Sequence, residues 1–200
     1  MKNLKIYLFR HGQTHYNKNK IFTGLKDSHL TALGKKQTKI IAKKLKNKQI
    51  DVAFQTSLSR SKNTLKEVLK YHPECKEIIT NNKMIERNYG FLEGKGHKMV
   101  IKKYGKKQYE KWHRGWNNPP KRGESFKIVE KRVKKFIKFL IKFMKKNKVN
   151  VAISAHGNSI RLFRKIIEKA SIKETCLWNL PYDKYFEYTI KLKNKKEVKK

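Results

Sequence analysis

Leu4-Lys-Ile-Tyr-Leu-Phe9 runs directly into Arg10-His11-Gly12, and Val149-Asn-Val-Ala-Ile-Ser154 runs into Ala155-His156-Gly157. These two stretches decide the fold. Each is a short apolar run of strand length that ends on a histidine followed by glycine, the signature of a buried strand delivering a side chain at its end. Working outward, Thr31 is placed to cap a helix continuing to about Lys46, with Leu33, Ile40, Ile41 and Leu45 as its apolar stripe. Asp51 to Thr56 reads as a second strand, Arg60 to Lys70 as a helix closed by Pro73, and Glu77 to Thr80 as a third strand. Glu86 to about Pro120 is irregular, with short helices expected near Val100 to Tyr104 and Gln108 to Trp112. The clearest helix spans Phe126 to Lys146, where Val129, Val133, Phe136, Ile137, Leu140, Ile141 and Met144 share one face. A helix is expected after His156 through Ile167, then a late strand from Tyr185 to Leu192. Strands alternating with helices imply a mixed α/β sheet covered on both faces, in one domain over residues 1–200, with 191–200 a lysine-rich tail.

The formal charge is +37, from 52 Lys plus Arg against 15 Asp plus Glu. Hydrophobic residues still make up 38%, enough for a core, which argues against a disordered polycation. No apolar run has membrane-spanning length, and the N-terminus carries no signal-peptide pattern, so a soluble, cytoplasmic protein is expected, without a membrane partner. The two cysteines suggest neither a disulfide framework nor a metal cluster. Lysine is spread along the whole chain, and only eight of the cations are arginines (10, 60, 87, 114, 122, 132, 161 and 164). A solvated lysine surface explains this better than a specific nucleic-acid site, which clusters its basic residues. In a chain that uses lysine so freely, each arginine marks a place where a planar, bidentate donor is in use.

Ligands of open α/β sheets bind beyond the carboxyl ends of the strands, so His11 and His156 are expected to face one crevice. Gly12 and Gly157 are expected to leave room there for a bulky anion. Competing motifs fail: His11-Gly-Gln-Thr-His15 lacks the glutamate of a zinc-protease helix, and Arg161 stands where a nucleophile elbow needs its second glycine. Phosphate suits the remaining pieces. Arg10 adjoins His11, and Arg60 opens a helix after a strand, so two guanidinium groups and a helix N-terminus are available to a phosphoryl group. A neutral imidazole can attack phosphorus, splitting one transfer into two easier steps. The departing alkoxide then needs an acid, and Glu86 is the best candidate.

Four segments carry a family resemblance: Arg10-His-Gly-Gln-Thr-His-Tyr-Asn17, Phe22-Thr-Gly-Leu-Lys-Asp27, Glu86-Arg-Asn-Tyr-Gly90 and Ala155-His-Gly-Asn-Ser159. With the stretch Trp112-His-Arg114 to Gly123-Glu-Ser125, they resemble the histidine phosphatase superfamily and, within it, the compact bacterial 2,3-bisphosphoglycerate-dependent phosphoglycerate mutases. The resemblance implies a three-layer α/β/α fold with a mostly parallel central sheet. It also implies His11 as the phosphorylated nucleophile, Glu86 as proton donor and acceptor, and Arg10, Arg60 and His156 as holders of the phosphoryl group. Asn17, Thr23, Gly24, Arg87, Tyr89, Arg114, Gly157 and Asn158 would contact substrate. His97 and His113 fall where the family has a substrate-binding lysine and arginine, and Pro181-Tyr182-Asp183 replaces the family's Pro-Thr-Gly.

The reaction so implied interconverts 3-phosphoglycerate and 2-phosphoglycerate, in glycolysis and gluconeogenesis, with 2,3-bisphosphoglycerate as primer and no metal. The partners are then small phosphorylated three-carbon acids, and homo-oligomer formation is left open. His97 and His113 keep a second reading alive, a phosphomonoester phosphatase in which water takes the phosphoryl group. A third, a non-catalytic polyanion-binding protein, is opposed by the intact set of His11, Glu86 and His156.

Overall fold

The computed structural model describes residues 3–192. Its first half runs through strand β1 (Leu4–Arg10), the one-turn helix α1 (His15–Lys18), α2 (Ala32–Leu45), β2 (Val52–Gln55), α3 (Ser59–Leu69) and β3 (Glu77–Thr80). The second half holds α4 (His97–Tyr104), α5 (Lys106–Arg114), the long α6 (Phe126–Asn147), β4 (Val151–Ala155), α7 (Gly157–Glu168), α8 (Ile172–Leu177) and β5 (Tyr185–Ile190). The strands form one sheet in the order β3-β2-β4-β1-β5, parallel throughout except for β5, which runs antiparallel to β1. The expected lysine-rich tail lies outside the described residues from position 193 onward.

Period-two alternation in β1 builds both faces of the core. Leu4, Ile6 and Leu8 join a cluster under α6 and α7 with Phe54, Phe136, Leu140 and Ile153. Tyr7 and Phe9 point the other way, onto Ile41, Leu45, Leu65 and Val68 of α2 and α3. The layers are therefore helix, sheet, helix. A third, smaller cluster of Phe22, Tyr89, Leu92 and Val100 lies beneath α4 and α5.

Helix α6 buries the expected stripe, with Ile141 only half-buried at its edge. Helix α2 does not. Its buried residues are Gly34, Thr38, Ile41, Ala42 and Leu45, whereas Leu33 and Ile40 are 51% and 40% exposed. A backbone contact decides the rotation. A Cβ on Gly34 would sit 2.0 Å from the Gln13 carbonyl oxygen, and one on Gly12 would sit 2.4 Å from the Gly34 carbonyl oxygen. The helix docks on the loop after β1 through these two glycines, which turns Leu33 outward. Gly12 thus serves backbone packing, not room for an anion. Helix α8 was not expected, although Ser171 and Glu174 form a capping box at its start.

Register places the two histidine loops side by side. Arg10 pairs with Ala155 across the parallel β1–β4 ladder, so His11 and His156 leave neighbouring strands at the same edge. The His11 amide continues the ladder by donating to the Ala155 carbonyl at 3.1 Å. Strand β2 pairs with β4 on its other side, Phe54 opposite Ile153, and delivers Thr56 to that same edge.

Candidate active site

His11 and His156 meet with ring centroids 5.1 Å apart. His11 is 2% exposed, and its Nδ1 lies 2.8 Å from the Gly12 carbonyl oxygen. A carbonyl only accepts, so Nδ1 carries the hydrogen and Nε2 of the neutral ring keeps a free lone pair. Burial, then the Arg60 and Arg10 guanidinium groups, hold its pKa well below the ordinary value. His156 is fully buried, and burial with Arg60 beside it depresses its pKa likewise. Both rings stay neutral at physiological pH.

Arg60 is buried at the start of α3, with Nη1 donating to the Lys26 carbonyl at 2.9 Å and Nη2 to the Gly24 carbonyl at 2.8 Å. Gly24 supports this with a left-handed φ of 55°. Arg10 donates from Nη1 to the Leu180 carbonyl at 3.1 Å, and its guanidinium lies 4.0 Å from the centre of the Tyr182 ring. Among the described residues, five buried side-chain polar atoms have no hydrogen-bond partner in the protein. Three of them are Arg10 Nε, Arg60 Nε and His156 Nδ1, on the three groups that surround His11. Unpartnered donors on groups around a neutral imidazole can take the oxygens of a phosphoryl group.

Glu86 is 8% exposed, and its Oε1 accepts from the backbone amides of Arg87 at 2.8 Å and Asn158 at 3.1 Å. The second amide belongs to the first turn of α7, whose positive end favours the carboxylate. Asn158 also donates from Nδ2 to the Tyr89 hydroxyl at 3.1 Å. Oε2 is left for proton exchange.

Arg10 and Glu86 open onto a cleft of about 360 Å³, whereas His11, Arg60 and His156 are buried and do not line it. Of the residues named from sequence, Arg10, Asn17, Thr23, Gly24, Glu86, Tyr89, His97, His113, Arg114, Gly157 and Asn158 line it. A Cβ on Gly157 would lie 3.5 Å from the Arg10 guanidinium, so its missing side chain keeps that face open. Arg87 is a correction. It is fully buried behind the cleft wall, with Nε, Nη1 and Nη2 donating to the carbonyls of Glu124, His113 and Trp112. Its fork braces the loops, and the rings of Tyr89 and Phe126 lie 4.9 Å from it. Conversely, Tyr16, Lys20, Arg161, Asn179 and Tyr182 line the cleft without having been singled out as site residues. Arg161 had a readable signal, standing three residues after Asn158 and four after Gly157 on one helical face.

The wall where the resemblance put a lysine and an arginine is aromatic and neutral. His97 packs 4.2 Å from Phe22 between ring centroids, and its Nδ1 lies 3.0 Å from the Tyr109 hydroxyl. His113 sits against Tyr109 and His97, at 5.1 and 5.2 Å. Burial, then the Arg114 charge, lowers the His97 pKa to about 4 and pushes His113 lower still. Two larger grooves, of about 470 and 400 Å³ along α3, are lined mainly by lysines and aliphatic side chains and hold no comparable cluster.

The model of the histidine phosphatase superfamily (branch 1) matches residues 6–196. The chain belongs to the histidine phosphatase superfamily. It is 35% identical over 185 residues to a 2,3-bisphosphoglycerate-dependent phosphoglycerate mutase of Parvibaculum lavamentivorans, covering 90% of this chain and 87% of that one. It is 37% identical over 161 residues to a phosphoglycerate mutase of Schizosaccharomyces pombe, covering 78% and 75%. Among solved structures, phosphoglycerate mutase from Bacillus anthracis superposes with a TM-score of 0.72 at 24% identity, over 84% of this chain and 81% of that one. A putative alpha-ribazole-5'-P phosphatase from Escherichia coli superposes with 0.78 at 22% identity, over 92% and 89%. The superfamily fold thus carries both kinds of named activity.

Proposed function

We propose that this enzyme interconverts 3-phosphoglycerate and 2-phosphoglycerate through a phosphorylated His11. The observation that carries the reading is a series of arginines along the cleft. Arg10, Arg114 and Arg161 line it together, and the charges of Arg10 and Arg60 act on His11 as that of Arg114 does on Arg161, His97 and His113. A substrate with anionic groups at both ends finds a cation for each. The mutase names of relatives sharing about a third of their residues support the same reading.

Arg10, Arg60 and His156 at one end and Arg114 at the other would hold 2,3-bisphosphoglycerate, which would supply the phosphoryl group that first loads His11. The rest is the work of this chain. His11 Nε2 bears the phosphoryl group in line with the free hydroxyl of the substrate. Glu86 Oε2 takes the proton of that hydroxyl as its oxygen bonds to phosphorus and the bond to His11 breaks. Glu86 then returns the proton to the oxygen on the other carbon, whose phosphoryl group passes to His11. Arg10, Arg60 and the N–H of His156 hold the equatorial oxygens throughout.

A phosphatase reading is favoured by one observation, the neutral pair His97 and His113 where the resembled family has a lysine and an arginine. Giving purified protein 3-phosphoglycerate, with and without catalytic bisphosphoglycerate, separates the two. The mutase reading expects 2-phosphoglycerate; free phosphate without isomer replaces it by the phosphatase. His11→Ala should abolish transfer of labelled phosphate to the protein, and undiminished labelling would remove His11 as nucleophile.

A further inference from the structure

Arg161 is 7% exposed, lines the cleft from α7, and has no assigned role so far. Its Nε and Nη2 donate to the Trp178 carbonyl at 3.3 and 2.9 Å, and Nη1 donates to Asn158 Oδ1 at 3.2 Å. Those bonds use three of the five N–H groups of a guanidinium and fix its plane. Two remain for a ligand. Among the described residues, no carboxylate lies within ion-pair distance of Arg161. A charge taken out of water without a counter-ion is costly, so an unpaired guanidinium that lines one cleft with Arg10 and Arg114 is built for an anion. The neutral imidazoles of His97 and His113 leave that duty to few other groups on this wall.

We propose that Arg161, with Arg114 of the same cleft, binds the anionic group of the substrate that is not being transferred. This rests on the reading of the cleft as a two-anion site. The helix fixes the arrangement. Asn158 and Arg161 share one face, so the residue that donates a backbone amide to Glu86 is tied, through its side chain, to the cation gripping the far anion. Proton transfer and substrate placement are thereby referred to one rigid element.

The test compares dissociation constants for 3-phosphoglycerate, which carries two anionic groups, and inorganic phosphate, which carries one. Wild type should bind 3-phosphoglycerate the more tightly. Arg161→Gln should weaken 3-phosphoglycerate about 10- to 100-fold, the loss of charge-assisted bonding, while phosphate changes less than about threefold. Equal losses for both ligands, or none, would overturn the proposal and leave the mutase reading standing. A wild-type protein that does not distinguish the two ligands would instead remove the two-anion reading itself. Should the glutamine variant not fold, Arg161→Lys decides, because it keeps the charge without the fork. A selective loss of 3-phosphoglycerate affinity of about three- to tenfold supports the proposal. Parallel changes for both ligands overturn it.

Discussion

Thr56 touches no part of the cleft surface, yet its hydroxyl should control the chemistry. It is fully buried, and its Oγ1 lies 2.8 Å from Nε2 of His156. Two proton arrangements satisfy that distance. If the ring donates, both the threonine O–H and the lone pair on Nδ1 are left unpartnered. If the hydroxyl donates, only Nδ1–H is left, and Nδ1 is the atom without a partner beside His11. The second arrangement strands fewer groups, so Thr56 fixes the tautomer with hydrogen on Nδ1, the donor that the proposed reaction needs at the phosphoryl oxygens.

Thr56→Val keeps the shape and removes the proton. Leaving Nε2 buried without a partner should cost about 1–3 kcal/mol of stability. The catalytic loss is bounded by that of an oxyanion donor, about 10²- to 10³-fold. Because the ring can still populate the original tautomer, a fall in kcat of about 10- to 100-fold is expected, at about 1.4 kcal/mol per decade. KM should change less than about threefold, since Arg10 and Arg60 keep their backbone anchors. Thr56→Ser restores the hydroxyl and should restore kcat. Nitrogen-15 spectra of the histidines supply the direct readout, with protonated Nδ1 on His156 of the wild type. A folded valine variant with kcat within threefold of wild type, or a wild-type His156 protonated on Nε2, would refute the reasoning.

Glu86→Gln should lower the chemical step by about 10²-fold or more in rapid-quench experiments, with phosphate binding little changed; an unaltered rate would contradict the acid–base role. Stability should fall on acidification. His11 and His156 have folded pKa values well below the unfolded ~6.5, so the unfolded chain binds more protons and stability is lost as pH falls from 7 to 5. A denaturant midpoint that stays flat over that range would count against the neutral, buried pair. Gly34→Ala, normally favourable within a helix, should instead destabilise by about 1–3 kcal/mol, because the new Cβ meets the Gln13 carbonyl. A gain in melting temperature would show that the loop yields.

What the sequence revealed depended on how local the deciding contacts were. Strand β1 was legible because a six-residue, mostly apolar run leads into Arg10-His11-Gly12, and α6 because its apolar stripe repeats over 22 residues. The convergence of His11 and His156 followed from a general property of parallel sheets and needed no side-chain detail. Helix α2 was misread in rotation because its docking is a backbone contact between Gly12 and Gly34, which hydrophobic periodicity does not encode. Arg87 lies within the motif that names Glu86 and Tyr89, so spacing placed it in the cleft. Its inward turn depends on carbonyls 25 to 37 residues away. Whether a histidine on this wall is charged likewise depends on neighbours that only folding supplies.

The arginine minority has a unifying physical reason. Arg87 and Arg132 together grip six backbone carbonyls, at Lys83, Ile85, Glu86, Trp112, His113 and Glu124. Arg132 also pairs with the Glu124 carboxylate at 3.0 Å, and that carboxylate receives the Asn88 amide. These clamps hold the segment carrying Glu86 against the one carrying Arg114. An ammonium, a compact charge with strong hydration, cannot satisfy several carbonyls in a fixed plane, whereas a guanidinium can. The same geometry, turned toward the cleft in Arg10 and Arg161, presents oriented donors in a region shielded from water. The lysines that make up most of the +37 charge act differently. Over distances beyond about 8 Å at physiological salt their field is screened, so they can speed the approach of a small anion but cannot position it. Positioning rests on the arginines, and that is where substitutions to lysine should be least tolerated.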